Sequence, residues 1–449
     1  MSNIFRSFTI LRTKQRLSGK SIMQLSALAL ALMLPALPMQ ADNLFDTLAS
    51  RLSGASTSLD AASESVKGQQ AAVRAEVAPE DPEIEMEYLW PHDRGEKNRW
   101  SLGVSQKLPD FRRRAAAGRV VAALDSAGSA QRQALSADNL WEARKKLIEY
   151  IGVYKEHIIL HEIHQNFDSL STAYERAWKR GESTLLDLNK IRIEHAQAYS
   201  ADFEVDGRME ALEQEIIALS RGAISADELR QLTEYPYFHI TPTASSFPKG
   251  HLVDPSEECA HPEDEAESAL NVDQETLEKA IKQSPQYLSM LAARRAAQAQ
   301  VELAGKSRFP SLSLGYVHAF EDGHHFNGIS AGLTLPVWSR SAEKSSAVAD
   351  LLALEAENST AFAELTASVK SDLLKASALK QRLDMFGPAI VCADNLRLLR
   401  MALKGGEITL LNYLQEISYF SQATLEYNSV KLEYALTMAS LLRYFPSLK

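Results

Sequence analysis

The feature that most restricts how this chain folds is a helical turn stated twice. Gly181-Glu182-Ser183-Thr184-Leu185-Leu186-Asp187 returns as Gly406-Glu407-Ile408-Thr409-Leu410-Leu411-Asn412, 225 residues later. Upstream of it, Leu108-Pro109-Asp110-Phe111 is answered by Leu335-Pro336-Val337-Trp338 at a separation of 227 residues. Pro82-Glu83-Ile84-Glu85-Met86-Glu87-Tyr88 is answered by Pro310-Ser311-Leu312-Ser313-Leu314-Gly315-Tyr316 at 228. Three markers in one order and at nearly one spacing imply a duplicated unit of strand, loop, strand, long helix, Gly-Glu turn and long helix. Such a unit builds a tube rather than a catalytic pocket.

Residues 1–41 read as a secretory signal. Arg6, Arg12, Lys14, Arg16 and Lys20 precede an apolar run from Leu25 to Leu37, with cleavage expected after Ala41. Loss of those five charges takes the formal net charge from −10 to −15, which argues against nucleic acid and anionic membrane surfaces as partners. No cysteine follows the apolar run, so no lipoprotein anchor is expected. Beyond the signal no stretch reaches the roughly 18 apolar residues of a spanning helix, so a membrane crossing would have to be made of strands. Cys259 and Cys392 are too few for a disulfide framework in 449 residues, and a single bridge between them stays open.

Helical periodicity runs from Asn43 to about Glu76, then from Arg112 to Lys179 without an interior proline. At 1.5 Å per residue the second of these would extend about 100 Å, a length that calls for coiled-coil packing rather than a globular core. Further helices fit Leu185 to Leu219, Gln274 to about Lys306, Ser341 to Lys404 and Thr409 to Arg443. The Ser341 stretch is rich in alanine (Ala347, Ala349, Ala353, Ala356, Ala361, Ala363, Ala367), which would let helices approach closely. Prolines 236, 242, 248, 255 and 262 and the acidic Glu263-Asp264-Glu265 mark an irregular insert. The expected organisation is a signal at 1–41, a first repeat at 42–222, an equatorial insert at 223–269 and a second repeat at 270–449.

Four short segments alternate with period two. Ile84, Met86, Tyr88 and Trp90 oppose Glu83, Glu85 and Glu87; Trp100, Leu102, Val104 and Leu108 oppose Ser101, Gly103, Ser105 and Lys107. Leu312, Leu314, Tyr316 and Phe320 oppose Ser311, Ser313 and Gly315; Ile329, Ala331, Leu333 and Leu335 oppose Gly328, Ser330, Gly332 and Thr334. Strands of about 8–11 residues with aromatics near their ends fit lipid-facing barrel strands, apolar outward and small or charged inward. Four cannot close a barrel, because the smallest have about eight, so closure requires other copies of the chain.

These residues resemble the TolC family of outer-membrane efflux proteins over nearly all of the mature chain. The marks are the duplicated half, the Leu-Pro-aromatic step from strands into a long helix, and the Gly-turn opening Thr-Leu-Leu at each helical tip. The resemblance implies a mainly α fold with a small β part. Long antiparallel coiled-coil helices would form an α-barrel, and four strands per chain would join a trimeric twelve-stranded outer-membrane β-barrel. It further implies no enzymatic activity, no cofactor, and a homotrimer set in outer-membrane lipid. The expected partners are a periplasmic adaptor (membrane fusion) protein and an inner-membrane pump of the resistance-nodulation-division type. Adaptor docking is expected at the tips, on Gly181, Glu182, Thr184, Gly406, Glu407 and Thr409. Family members carry a ring of aspartates past the second tip glycine, whereas the positions six and nine residues after Gly406 are here Asn412 and Gln415. Asp187, Asn412, Gln415 and Glu416 are therefore all candidates for the gate.

Three copies of Glu83, Glu85 and Glu87 would place nine carboxylates in one lumen and favour cations, although the same residues would serve a merely solvated face. His157, His161 and His164 recur at i, i+4 and i+7, a spacing that suits a divalent metal, although no second ligand set is evident and packing along a coiled coil also accounts for them. His324 and His325 are expected in a strand-connecting loop. No Ser-His-Asp set, phosphate loop or paired-cysteine motif stands out. The expected function is a passive outer-membrane exit duct for small molecules or metal cations. The alternatives are a duct for type I protein secretion and a soluble periplasmic coiled-coil scaffold.

Overall fold

The computed structural model describes residues 37–90, 92, 98–236, 274–306, 310–321, 323–335, 339–391 and 395–444. Residues 1–36 of the expected signal, most of the insert, Pro336 to Trp338, Cys259 and Cys392 lie outside these. The first repeat begins with α1 (Leu37–Gly54) and α2 (Ser58–Glu76), followed by β1 (Glu83–Leu89) and β2 (Arg99–Lys107). It continues into α3 (Phe111–Lys179) and α4 (Leu185–Leu219), and the short α5 (Ala226–Leu229) falls in the stretch read as an insert. The second has α6 (Gln274–Lys282), α7 (Pro285–Lys306), β3 (Ser311–Glu321) and β4 (His324–Thr334). Then come α8 (Ser339–Val391), α9 (Asn395–Gly405) and α10 (Leu410–Tyr444). Among the described residues no helix is long and apolar enough to cross a membrane.

Helix α3 is 69 residues long, about 100 Å at 1.5 Å per residue. Asp110 starts it: its carboxylate accepts from the backbone N–H of Arg112 at 2.9 Å and Arg113 at 3.2 Å, filling donors that the first turn leaves orphaned. Three separate apolar clusters hold α3 along its length. Near the sheet Val120 and Leu124 pack with Val73 and Leu303; midway Leu147, Ile148 and Ile151 pack with Phe45, Leu48 and Ile216. Toward the far end Ile163 and Phe167 pack with Leu396, Tyr413 and Ile417. A further cluster joins α6, α8 and α10 through Ile281, Val369 and Leu441.

Three stretches read as continuous are broken. The pattern from Asn43 splits after Gly54, and the one from Gln274 splits at Gln283 and Ser284. Pro285 explains the second: it lacks an N–H and crowds the residue before it out of the helical region. Ser284 then caps α7, its hydroxyl accepting from the N–H of Tyr287 at 3.3 Å. The stretch from Ser341 likewise becomes α8 and α9, with Pro388 in the last turn of α8. Most of the alanines of α8 face away from the chain's own helices. Ala349, Ala353, Ala356, Ala363 and Ala367 are exposed, and the contacts with α10 are made by Leu365, Val369 and Ala376 instead.

The strands form one antiparallel sheet in the order β1-β2-β3-β4, so β1 and β4 are its edges. One row across it reads Ile84, Val104, Tyr316, Ile329, and the row beginning one residue earlier reads Glu83, Ser105, Gly315, Ser330. The two rows lie on opposite faces. His324 and His325 belong to β4 rather than to a loop, because the reversal is made by Gly323 at φ 86°, a conformation open to glycine.

Close helix packing makes a stability test. A Cβ on Gly152 of α3 would stand 2.8 Å from Leu432 Cδ1, whereas one on Gly207 of α4 would meet nothing within 4 Å. Gly152→Ala is expected to destabilise by about 1–3 kcal/mol through overpacking. Gly207→Ala is expected to stabilise by about 0.4–1 kcal/mol. Thermal melts followed by circular dichroism should move in opposite directions.

Candidate functional site

The two far turns have one geometry. Gly181 (φ 76°) and Gly406 (φ 72°) sit in the left-handed region. In the first turn Gly181 N–H donates to Trp178 C=O at 2.9 Å and Glu182 N–H to Ala177 C=O at 2.9 Å. In the second, Gly406 N–H donates to Leu403 C=O at 3.2 Å and Glu407 N–H to Ala402 C=O at 2.9 Å. This pattern closes a helix on a glycine and satisfies its last carbonyls. The next helix then opens on threonine: Thr184 Oγ1 accepts from Asp187 N–H at 3.1 Å, and Thr409 Oγ1 from Asn412 N–H at 3.2 Å.

Glu182 is held by Arg180 at 2.8 Å, whereas Glu407 folds its side chain back over Gly405. Both are exposed, as are Gly181, Thr184, Gly406 and Thr409, together with Leu185, Leu186 and Leu411. Of the gate candidates, Asp187 is half-buried and takes the Thr184 hydroxyl at 2.6 Å, whereas Asn412, Gln415 and Glu416 are exposed along α10. Behind the tips Tyr413 is fully buried and exchanges two hydrogen bonds with Asn166 of α3, at 2.8 and 3.0 Å. Burial pushes its phenol pKa up, against the opposing effect of the Asn166 hydrogen bond and the Arg400 charge.

At the other end, the sheet presents two unlike faces. Ile84, Met86, Ile329 and Leu333 project from one with more than half of their surface exposed, Ile329 with 96%. Toward the strand loops that face carries a row of Tyr88, Trp100, Phe320 and His325, with Trp100 stacked on Phe320 at 6.1 Å. Its polar groups serve one another: Asn327 Oδ1 accepts from Tyr316 OH at 2.6 Å and lies 2.7 Å from His318 Nδ1. Glu83, Glu85 and Glu87 are exposed on the opposite face, beside glycines and serines. A Cβ on Gly315 would be 2.6 Å from Ser330 Oγ and 2.7 Å from Val104 O, so this face is too crowded for side chains at that point.

The histidines of α3 find a partner that the sequence did not disclose. Asp202, on α4, is buried, and its Oδ2 lies 3.0 Å from His161 Nδ1 and 2.8 Å from His164 Nδ1. His157 Nδ1 stands 3.6 Å from the other carboxylate oxygen. Burial works to raise the Asp202 pKa, but the hydrogen bonds from His161 and His164 and the nearby imidazoles outweigh it and hold the carboxyl below its usual range.

Comparison with known proteins places this architecture. No family model and no curated protein sequence matches the chain. Among solved structures, it is similar to the Campylobacter jejuni CmeC outer membrane channel, with TM-score 0.67 and 13% identity over 90% of this chain and 86% of that one. It is similar to CusC, whose structures concern folding and transmembrane channel formation, with TM-score 0.64 and 14% identity over 90% and 92%. The outer membrane protein VceC from Vibrio cholerae gives 0.61 and 15% over 90% and 96%. The chain has the fold of TolC-type outer-membrane channels.

The tip turns yield a paired test. Gly406 needs positive φ, whereas Gly405 does not, and a Cβ on Gly405 would make only ordinary contact with Glu407 Cγ at 3.6 Å. Gly406→Ala is expected to cost about 1–2 kcal/mol locally. Amide exchange measured by mass spectrometry should accelerate around residues 402–413 in that variant and not in Gly405→Ala.

Proposed function

We propose that this chain is the outer-membrane channel of a tripartite efflux system, a passive exit duct for small molecules or metal cations. The observation that carries the reading is the two-faced, open-edged sheet. An exposed apolar face with an aromatic row at one end suits lipid, and a glycine-serine-glutamate face suits a water-filled lumen. Edges cannot be left unpaired in a bilayer, so β4 of one copy would pair with β1 of the next, and three copies would close twelve strands. The alanines on the exposed side of α8 support the same assembly. Residues 349, 353, 356, 360, 363 and 367 are exposed or half-buried and alternate spacings of four and three, the seven-residue repeat of a helix seam. Packing a neighbouring copy against that stripe of alanine and threonine would continue the barrel as a helical tunnel below the membrane.

In this reading the hairpin tips are the docking and opening end. The adaptor would meet Gly181, Glu182, Thr184, Gly406, Glu407 and Thr409, and its contacts would favour a state in which the hairpins separate. The gate would then be lined by Asp187, Asn412, Gln415 and Glu416. Energy would be supplied by the inner-membrane pump rather than by this chain. Glu83, Glu85 and Glu87, three times over, would make the barrel lumen favour cations over anions.

The sheet reading is tested by neighbouring substitutions on opposite faces. Ile329→Arg is expected to cost about 2–4 kcal/mol in lipid and to abolish the heat-modifiable trimer, whereas Gly328→Arg, where an added Cβ would meet nothing within 4 Å, should leave the trimer in the outer-membrane fraction. Equal trimer yields from both variants, or a soluble monomer from the parent chain, would sink it. Docking is tested separately: Glu407→Lys should preserve the trimer while lowering efflux and adaptor cross-linking. Unchanged efflux would remove Glu407 from the docking surface.

A further inference from the structure

We infer that His157, His161 and Asp202 form a divalent metal site of the zinc class that staples α3 to α4, with His164 as the residue that orients the carboxylate. The inference does not depend on the channel reading or on what such a channel would carry.

The geometry carries it. His157 and His161 are one helical turn apart, and their rings stack with centroids 5.5 Å apart, so both imidazoles present the same side to α4. Their ligand atoms and a carboxylate oxygen of Asp202 all lie within 4.8 Å of one another. A helical His pair at i, i+4 is a spacing that binds zinc elsewhere, and a carboxylate from a second element completes a three-ligand set with an open fourth position for water. His157 Nδ1 and Asp202 Oδ1 are both buried without a hydrogen-bond partner among the described residues, and they face each other at 3.6 Å. That gap is long for a hydrogen bond. It suits two ligands on one ion, because bonds of about 2.0–2.2 Å at the tetrahedral angle set the ligand atoms about 3.4 Å apart.

The remaining contacts fit a supporting shell. His164 Nδ1 lies 2.8 Å from Asp202 Oδ2, and its hydrogen bond would fix the carboxylate with Oδ1 turned toward His157. Gln165 Nε2 lies 2.8 Å from His161 Nε2, and with that amide turned over its oxygen would accept from Nε2–H, which leaves the Nδ1 lone pair facing Asp202 free for an ion. Only the outer edge is open: the His161 side chain is 47% exposed, against 22% for His157 and 11% for Asp202. A hydrated ion can therefore arrive from solvent and lose water as it enters. Two imidazoles and one carboxylate select ions such as zinc over calcium or magnesium, which take all-oxygen ligand sets.

Zinc chloride titrated into the tag-free, full-length protein in detergent, against a chromophoric chelator, is expected to show one ion per chain. Zinc should also raise the melting temperature. Asp202→Asn and the double variant His157→Ala/His161→Ala should each lose at least tenfold in affinity, whereas His324→Ala/His325→Ala should retain it. Should the variants fold poorly, zinc-edge X-ray absorption on the parent protein still decides, with two imidazole nitrogens expected in the first shell. Absence of stoichiometric uptake, uptake unchanged in folded Asp202→Asn, or a first shell without imidazole would overturn the site and reduce the cluster to a hydrogen-bonded clamp.

Discussion

Four strands leave two edges, and the cost of those edges organises the rest of the molecule. In water an open edge is merely an aggregation hazard, but in hydrocarbon each unpaired backbone group costs several kcal/mol. The sheet has an apolar face suited to hydrocarbon and no way to close on itself. In the proposed channel other copies of the chain would meet that mismatch, and the helices would have to suit the same assembly. The exposed small-residue side of α8 is the helical counterpart of the open edges: in that assembly both would be covered by a neighbouring copy.

The duplication explains why the two ends of the protein look alike in each half. A Gly-Glu reversal capped by threonine recurs with the same hydrogen bonds at Gly181 and Gly406, although the halves differ in sequence nearly everywhere else. Backbone geometry is what the turn requires, and only the glycine and the capping hydroxyl supply it. Side chains around the turns were free to diverge, and the divergence falls where the tips differ in charge: Arg180 pairs with Glu182, whereas Glu407 folds over Gly405.

Much of the fold was legible in the sequence because it rests on local signals. The proline-free run to Lys179, the period-two strands and the two tip turns each announce themselves within a few residues. Pro285 was legible too, as a stop that periodicity alone overran. Asp202 was not, because nothing local distinguishes it from other acidic residues of α4. Its role depends on hairpin register: His161 and Asp202, like Asp168 and His195 or Glu156 and Arg208, stand nearly equidistant from the Gly181 turn. Folding the sequence about that turn on paper would have found the partner. The outward placement of the α8 alanines had no such signal, since small residues suit an intrachain seam and an interchain one equally well.

The segmented packing of α3 gives it the mechanics of a lever. Its midpoint is clamped by the largest apolar cluster, around Ile148 and Ile151, while the stretch beyond is held by the separate cluster at Ile163 and Phe167. From Ile151 to Lys179 the arm is about 42 Å at 1.5 Å per residue, so a tilt of only about 5° at the clamp would sweep its end by about 4 Å. An unbroken helix transmits such a tilt without melting a turn. In the proposed channel, small adjustments of packing around Ile148 would thereby be magnified into displacements at the Gly181 turn large enough to change the width of an aperture.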